Sequence, residues 1–316
     1  MDNHYLVLDI GGTAIKHAVM DQEARILAHG EVPTPDRDVA GVPELLEALD
    51  GIVAADGDGA EGIAVSMPGM IDTRAGIART AGHITYLSGV PVRSVLEERY
   101  GLPCTVANDG NCAVVAESWR GSLEGCRNAA VVGLGTAVAG GLVLNGRLYE
   151  GSTFSAGEFS HVAADWRGAW EQKDAYWGHV GGVGGLCHAV ARRTGEDPAT
   201  LDGRIVFERA NAGDEDALAG LREYCDYTAV QLQNLDMLLD LERIAIGGGI
   251  SRQPLLIEGL RKAVGRLVAA SPMRHHNPTL PVPTIVACKF FNEANLIGAL
   301  RLHLLAHGTA PDHMEA

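Results

Sequence analysis

The sequence predicts an α/β protein made of two sheet-based modules, each a mixed sheet flanked by helices. Three observations lead there. Apolar runs at Tyr5–Asp9, Ala14–Met20 and Arg25–Glu31 are joined by short polar turns, the pattern of an antiparallel meander. The same order of strand, Gly/Thr turn, strand, turn, strand returns at Ala129–Leu134, Ala139–Leu144 and Arg147–Tyr149, with Asn145-Gly146 as a hairpin signal. After each meander, helical stretches alternate with short buried strands.

The remaining elements follow in order. Helical periodicity covers Val42–Ala55, and Gly62–Ser66 reads as a buried strand ending in Met-Pro-Gly. Val92–Tyr100 is predicted to be a helix, Cys104–Ala107 a short strand and Asn111–Trp119 a further helix. Beyond the second meander the chain is mainly helical, at Gly181–Arg193, Ile205–Asn211, Asp214–Leu239 and Leu255–Ala269. A strand at Arg243–Ile246 interrupts these helices and runs into Gly247-Gly248-Gly249. Thr284–Ala287 is a last strand and Glu293–Leu305 a last helix, before a polar tail from Gly308.

Composition narrows the function. With 316 residues, 47% hydrophobic and 21% charged, the chain can bury a core in each of about two domains. A net charge of −15 argues against nucleic acid or an anionic membrane as partner, while leaving room for a phosphate in a local pocket of N–H groups. Cys104, Cys112, Cys126, Cys187, Cys225 and Cys288 are widely spaced with no CxxC pair, as in a reduced, cytoplasmic protein. No run of 18 apolar residues occurs, so a soluble protein is expected.

The 40 glycines gather in clusters, and three clusters end apolar strands: Gly11-Gly12-Thr13, Gly133-Leu134-Gly135-Thr136 and Gly247-Gly248-Gly249. The first lies in VLDIGGTAIK, Val7–Lys16. There two residues without Cβ let backbone N–H groups approach an anion, Asp9 can orient a hydrated Mg²⁺, Thr13 adds a hydroxyl and Lys16 a positive charge. A plain hairpin turn that uses Gly-Gly would read the same way. Three such turns in one chain are better explained by one nucleotide, two cradling phosphates and the third near the base or ribose.

Two further stretches carry candidate chemistry. In Val106–Glu117, VANDGNCAVVAE, Asn108 and Asp109 follow a strand and precede a helix. Asp109 can be the helix N-cap, or it can take a proton from a substrate hydroxyl attacking phosphorus. In Ala156–Val162, AGEFSHV, Glu158 and His161 stand three apart. They can be a surface acid and a partly buried histidine, or a pair that hydrogen-bonds polyol hydroxyls.

Together these residues resemble the ROK family of sugar kinases and repressors, within the hexokinase–actin-type ATPase superfamily. The likeness runs from about Tyr5 to Leu304. It is carried by DIGGTAIK, MPGMID (Met67–Asp72), NDGNCA, GLGTAVAGG (Gly133–Gly141), NGRLYEGS (Asn145–Ser152), GEFSH and IGGGIS (Ile246–Ser251). The resemblance implies a two-lobed actin-like ATPase (ribonuclease H-like) fold. We place its lobes at 1–115 with 293–316, and at 116–292. It implies lobes that close on the substrate, and in-line transfer from Mg·ATP to a primary sugar hydroxyl. Asp9, Gly11, Gly12, Thr13 and Lys16 then look like the first phosphate loop, Gly135 and Thr136 the second, and Gly248 and Gly249 the adenosine-side turn. Asp109 falls on the catalytic base, with Asn108, Gly69, Glu158 and His161 on the sugar. A homodimer is expected, as is common in the family.

Two departures stand out. Most of the family carries a CxCGxxGC zinc motif after the GE..H element. Here Trp177–His188, WGHVGGVGGLCH, holds only Cys187, so no structural zinc is expected and His161 reads as a sugar or core residue. A zinc-less minority that includes β-glucoside kinases looks similar, which brings a β-linked or modified glucose into view. Ala137 and Ala139 stand where glycine is more usual, a change that is tolerable if φ stays negative.

An ATP-dependent sugar kinase is the reading these features favour. A glucokinase or aminosugar kinase using ATP or polyphosphate, and a weak or silent sugar-binding protein, are the alternatives. The family's repressors carry an N-terminal helix-turn-helix of about 70 residues, whereas the phosphate loop here begins at Asp9.

Overall fold

The computed structural model describes residues 3–36, 38–165, 167–169 and 171–309. Two units emerge, one of Met1–Trp119, Arg147–Ala156 and Glu293–Ala316, the other of Arg120–Gly146 and Gly157–Asn292. The end of the polar tail, 310–316, lies outside the described residues.

In the first unit, β1 (His4–Ile10), β2 (Ala14–Asp21) and β3 (Ile26–Pro33) form the expected antiparallel meander. Helix α1 (Val42–Asp56) leads to β4 (Ile63–Met67), which pairs parallel with β1. A two-stranded hairpin, β5 (Ile71–Asp72) and β6 (Ile77–Ala78), then α2 (Val92–Tyr100), precede β7 (Cys104–Asn108), parallel to β4. Helix α3 (Asp109–Arg120) follows at once. The sheet order is β3-β2-β1-β4-β7.

The second sheet repeats this plan. β8 (Ala129–Leu134) and β9 (Val138–Leu144) pair antiparallel, and β10 (Arg147–Leu148) follows through the Asn145-Gly146 turn, both of whose residues have positive φ. Helices α4 (Trp177–Val180), α5 (Val183–Thr194), α6 (Gly203–Asn211) and α7 (Glu215–Leu239) precede β11 (Arg243–Gly247). Helix α8 (Pro254–Ala270) links β11 to its parallel neighbour β12 (Ile285–Ala287). The order β10-β9-β8-β11-β12 matches the first sheet strand for strand, three antiparallel then two parallel. The internal duplication is thus visible in topology.

Alternation places the side chains of the first unit. Leu6, Leu8 and Ile10 of β1, with Ile63, Val65 and Met67 of β4, join a core with Leu45, Leu49 and Ile52 of α1. The intervening positions point to the other face, because successive strand residues alternate. That face is covered by the last helix, α9 (Ala294–Ala306), which lies across β1, β4 and β7. Strands covered on both faces read as near-continuous apolar runs, and β4 is buried throughout. The polar residues of β1 and β4 on the α9 face, Asp9 and Ser66, are therefore informative.

Two of the helices that start elsewhere than the sequence predicts show a physical reason. α3 begins at Asp109 rather than Asn111, because Asn108 caps it: its Oδ1 accepts from the N–H of Asn111 at 3.0 Å. The helix expected at Gly181–Arg193 starts two residues later, as α5 at Val183, with the one-turn α4 separate before it. Gly182 is extended there, and the N–H of Val183 donates to the Gly135 carbonyl at 2.8 Å, so the chain must straighten to touch that turn.

Two predictions follow from the α9 face. At Gly298 a Cβ would overlap the carbonyl of Cys112, so α9 sits directly on the backbone of α3. Replacing Gly298 by Ala should lower stability to urea by about 1–3 kcal/mol, the usual cost of overpacking. Unchanged stability would mean that the two helices are not in register as described. His303 is 1% exposed, with Nδ1 3.1 Å from Thr105 Oγ1, and its ring packs against that of His307, tilted, with centroids 4.4 Å apart. Burial, then the neighbouring His307, pushes its pKa down from 6.5 to about 4. The unfolded chain binds this proton first, so stability should fall as pH drops from about 6.5 to about 4. In urea titrations across that window, wild type should lose on the order of 3 kcal/mol more than His303→Asn. Equal losses would contradict the burial of a neutral imidazole.

Candidate active site

Strands β1, β4 and β7 run parallel and end side by side, with Asp9 level with Ser66 and Met67 level with Asn108. The carboxyl ends of parallel strands are where open α/β sheets gather ligand groups, because helices and turns leave there with N–H groups aimed outward. Asp9, Gly69, Asn108 and Asp109 are all brought to this edge of the first unit.

Asp9 is 8% exposed. Its Oδ1 accepts from Ser66 Oγ at 2.8 Å and from Asn295 Nδ2 at 3.1 Å, and Asn295 is also 3.3 Å from Oδ2. Lys16 pairs with Asp9 directly across β1 and β2. Burial raises the Asp9 pKa above the ordinary carboxylate value, and the bonds from Ser66 and Asn295 and the charge of Lys16 only partly offset that. Ser66 and Asn295 were not singled out in the sequence. Ser66 stands beside the quoted MPGMID stretch, but Asn295 lies 286 positions away and carried no local signal.

Gly11, Gly12 and Thr13 form the tight turn between β1 and β2, closed by the Gly11 N–H donating to the Ala14 carbonyl at 3.0 Å. The hairpin and anion-binding readings of this turn therefore concern the same backbone. Neither glycine is left-handed. Gly11 is required by proximity, since a Cβ there would lie 2.9 Å from the Ala14 oxygen. Gly12 and Thr13 are exposed, and Thr34 Oγ1 steadies the turn by donating to the Gly11 carbonyl at 2.7 Å.

Asn108 decides the geometry around Asp109. Its Oδ1 caps α3, and its Nδ2 donates to the Gly69 carbonyl at 2.9 Å. Gly69 needs its lack of a side chain twice over: φ is +102°, and a Cβ would overlap the Thr80 carbonyl. With Asn108 as cap, Asp109 is the first residue of the helix, half-buried, its Oδ1 accepting from the Gly110 N–H at 2.8 Å. Cys112, one turn on, is fully buried, and burial beside the carboxyls of Asp9, Asp109 and Glu150 pushes its thiol far up, so it is an inert packing group. Glu150 is another residue not singled out. Its Oε2 accepts from Thr73 Oγ1 at 3.1 Å, and burial raises its pKa.

The second unit assembles the other turns. Gly247 at the end of β11 is level with Gly133 in β8. Gly248 has φ +86°, and a Cβ there would overlap the Leu134 carbonyl, so the Gly247–Gly249 turn lies against the Gly133–Thr136 turn. Neither Ala137 nor Ala139 is left-handed, so their methyl groups add no backbone strain. Glu158 precedes and His161 ends the one-turn 3₁₀ segment Phe159–His161, with Glu158 half-buried and His161 exposed. Phe159 anchors them, filling the space above Gly140 and packing on Trp177 at 5.7 Å. Cys187 is buried in α5. Among the described residues no group of three or more His, Cys, Asp or Glu side chains could hold a metal ion.

Comparison with known proteins agrees with this architecture. The ROK family model matches residues 5–305. A β-glucoside kinase of Klebsiella pneumoniae is 32% identical over 254 residues, covering 80% of this chain and 84% of that one. A ROK family protein from Streptococcus pneumoniae TIGR4, solved in complex with sucrose, superposes with a TM-score of 0.83 at 29% identity, covering 96% of this chain and 99% of the other. A ROK family glucokinase from Streptomyces griseus, solved with glucose and AMPPNP, gives 0.79 at 26% identity, covering 95% and 99%. The chain belongs to the ROK family, and its fold is the two-lobed actin-like ATPase fold.

The double role of Asn108 is testable. Asn108→Ala removes the cap and the tether on Gly69, and should cost about 1–3 kcal/mol in urea denaturation. Asn108→Asp keeps the capping oxygen and should cost less. Equal losses would show that the cap contributes nothing.

Proposed function

We propose that this chain transfers the γ-phosphoryl group of ATP to the primary 6-hydroxyl of a hexose or β-glucoside, with Asp109 as general base. That it is a sugar kinase, a phosphotransferase with an alcohol acceptor, follows from its family and from relatives such as the β-glucoside kinase and the glucokinase. The observation that carries the finer reading is the corner at the end of β7. There Asn108 is bound at both ends and Asp109 is left at the head of α3.

In the proposed step the sugar hydroxyl oxygen forms a bond to the γ-phosphorus as the bond from that phosphorus to the β,γ-bridging oxygen breaks. ADP leaves with that electron pair, and the hydroxyl proton passes to the Asp109 carboxylate. A carboxylate is a weak base towards a free alcohol. It suffices because the proton leaves late in a loose transition state, where positioning carries most of the barrier. Asn108 and Gly69 hold the acceptor sugar in this reading, with Glu158 and His161 hydrogen-bonding its other hydroxyls. The turns Gly11–Thr13 and Gly133–Thr136 offer backbone N–H groups to the phosphates, with Lys16 as a positive charge and Gly248 and Gly249 on the adenosine side.

Asp9 fits Mg²⁺. It is a hard oxygen donor fixed by Ser66 and Asn295, and Mg²⁺ needs only one or two protein carboxylates besides water and phosphate. When bound there, the ion would neutralise charge on the phosphates. The reading also includes a cytoplasmic enzyme and a homodimer. The dimer is supported by exposed apolar side chains at helical spacing along α7, namely Tyr227, Val230, Met237 and Leu238.

A coupled ADP-release assay over hexoses and β-glucosides tests the reaction. Asp109→Asn should leave sugar affinity near normal and lower turnover by ~10²-fold or more, the scale of a positioned base. Turnover like wild type would remove Asp109 from the mechanism. Purified protein should carry no stoichiometric zinc, and one zinc per chain would overturn the reading of Trp177–His188.

A further inference from the structure

Phe154 stands in the left-handed region, at φ +62°. A bulky aromatic residue rarely accepts that conformation, and such residues persist where the surroundings over-determine them, often at ligand sites. Here the ring lies under the guanidinium of Arg79, 5.3 Å from its centroid. Arg79 is itself fastened by Asp72, at 2.6 Å, yet its side chain remains 53% exposed. On either side of Phe154, Thr153 and Ser155 are exposed and share a hydroxyl hydrogen bond of 2.9 Å.

This platform is continuous with the Asn108 corner. Arg79 donates its N–H to the Met70 carbonyl at 2.9 Å, and Met70 N–H donates to Thr80 Oγ1 at 2.9 Å. The Thr80 carbonyl presses on Gly69, whose own carbonyl is held by Asn108. A second tie, from Thr73 to Glu150, holds the segment bearing Phe154 to the β5–β6 hairpin. All these residues belong to the first unit.

We propose that Phe154 and Arg79 form a second sugar subsite, which takes the aglycone ring of a β-linked disaccharide beside the ring that is phosphorylated. The proposal rests on the kinase reading above for the position of the first ring. The chemistry is that of an aromatic ring with a guanidinium over one of its faces. The C–H face of a pyranose packs on an aromatic ring, while a guanidinium offers several donors to hydroxyl oxygens in a fixed plane. A β-link between equatorial positions keeps two pyranose rings extended, so the second can lie on a shelf next to the first. An α-link turns the second ring away.

The test is calorimetric binding of cellobiose, maltose and glucose to the full chain, as wild type, Phe154→Leu and Arg79→Ala. Cellobiose should bind wild type more tightly than glucose or maltose. Phe154→Leu, which keeps apolar bulk without the ring, should weaken cellobiose about tenfold and leave glucose within about twofold. Arg79→Ala should act in the same direction, which covers the case in which the Phe154 variant fails to fold. The proposal is overturned if wild type binds cellobiose no better than glucose, or if the variants weaken both sugars equally. Binding requires no turnover, so this pattern without ADP release would sink the kinase reading alone, and ADP release without the pattern would sink the subsite alone.

Discussion

A side-chain amide has one carbonyl and one amino group, and Asn108 commits them to different tasks. The oxygen caps α3 and the nitrogen holds the Gly69 carbonyl. If the oxygen turned away, α3 would lose its first constraint, and Asp109 would be free to become the cap itself. If the nitrogen let go, the Met-Pro-Gly loop would lose its tie to β7. Because both bonds are made at once, the residue after Asn108 has one place to go, the first turn of the helix at the carboxyl end of the sheet.

The layers behind this corner serve it. Asp9 and Ser66 occupy positions on the α9 face that alternation would otherwise give to apolar residues, and they are bonded to each other and to Asn295. A buried carboxylate is costly unless donors surround it, and Ser66, Asn295 and Lys16 each favour the charged form of Asp9 against its burial. Helix α9 thereby carries two loads. It covers the sheet with apolar residues and it delivers one amide to the acid at the end of β1. The close approach at Gly298 keeps α9 against α3, so the groups on both helices are set by one packing contact.

Much of this was legible in the sequence, for reasons that differ by element. The two meanders, α2 and β8 could be read almost to the residue, because alternation and turn residues are local signals. The three glycine turns were legible as a set. Their physical reasons are not uniform: Gly11 is needed for proximity, whereas Gly248 is needed for its positive φ and for proximity. The choice between Asn108 and Asp109 as cap was not legible, since both residue types cap helices well and only the tether to Gly69 decides between them. Asn295, Glu150 and Phe154 were missed because their partners are distant in sequence or because backbone strain leaves no trace in composition. The later start of α5, at Val183, was missed for a related reason, a contact between Gly182 and a turn about 45 residues earlier.

The central claim is that Asp109 is held where it can accept the proton of the acceptor hydroxyl. A crystal structure of the protein with a bound sugar and a non-hydrolysable ATP analogue tests it most directly. The account predicts an Asp109 carboxylate oxygen about 2.6–3.2 Å from the primary hydroxyl, with both Asn108 hydrogen bonds intact. A bound sugar whose primary hydroxyl meets neither Asp109 nor a single water held by it would contradict the account.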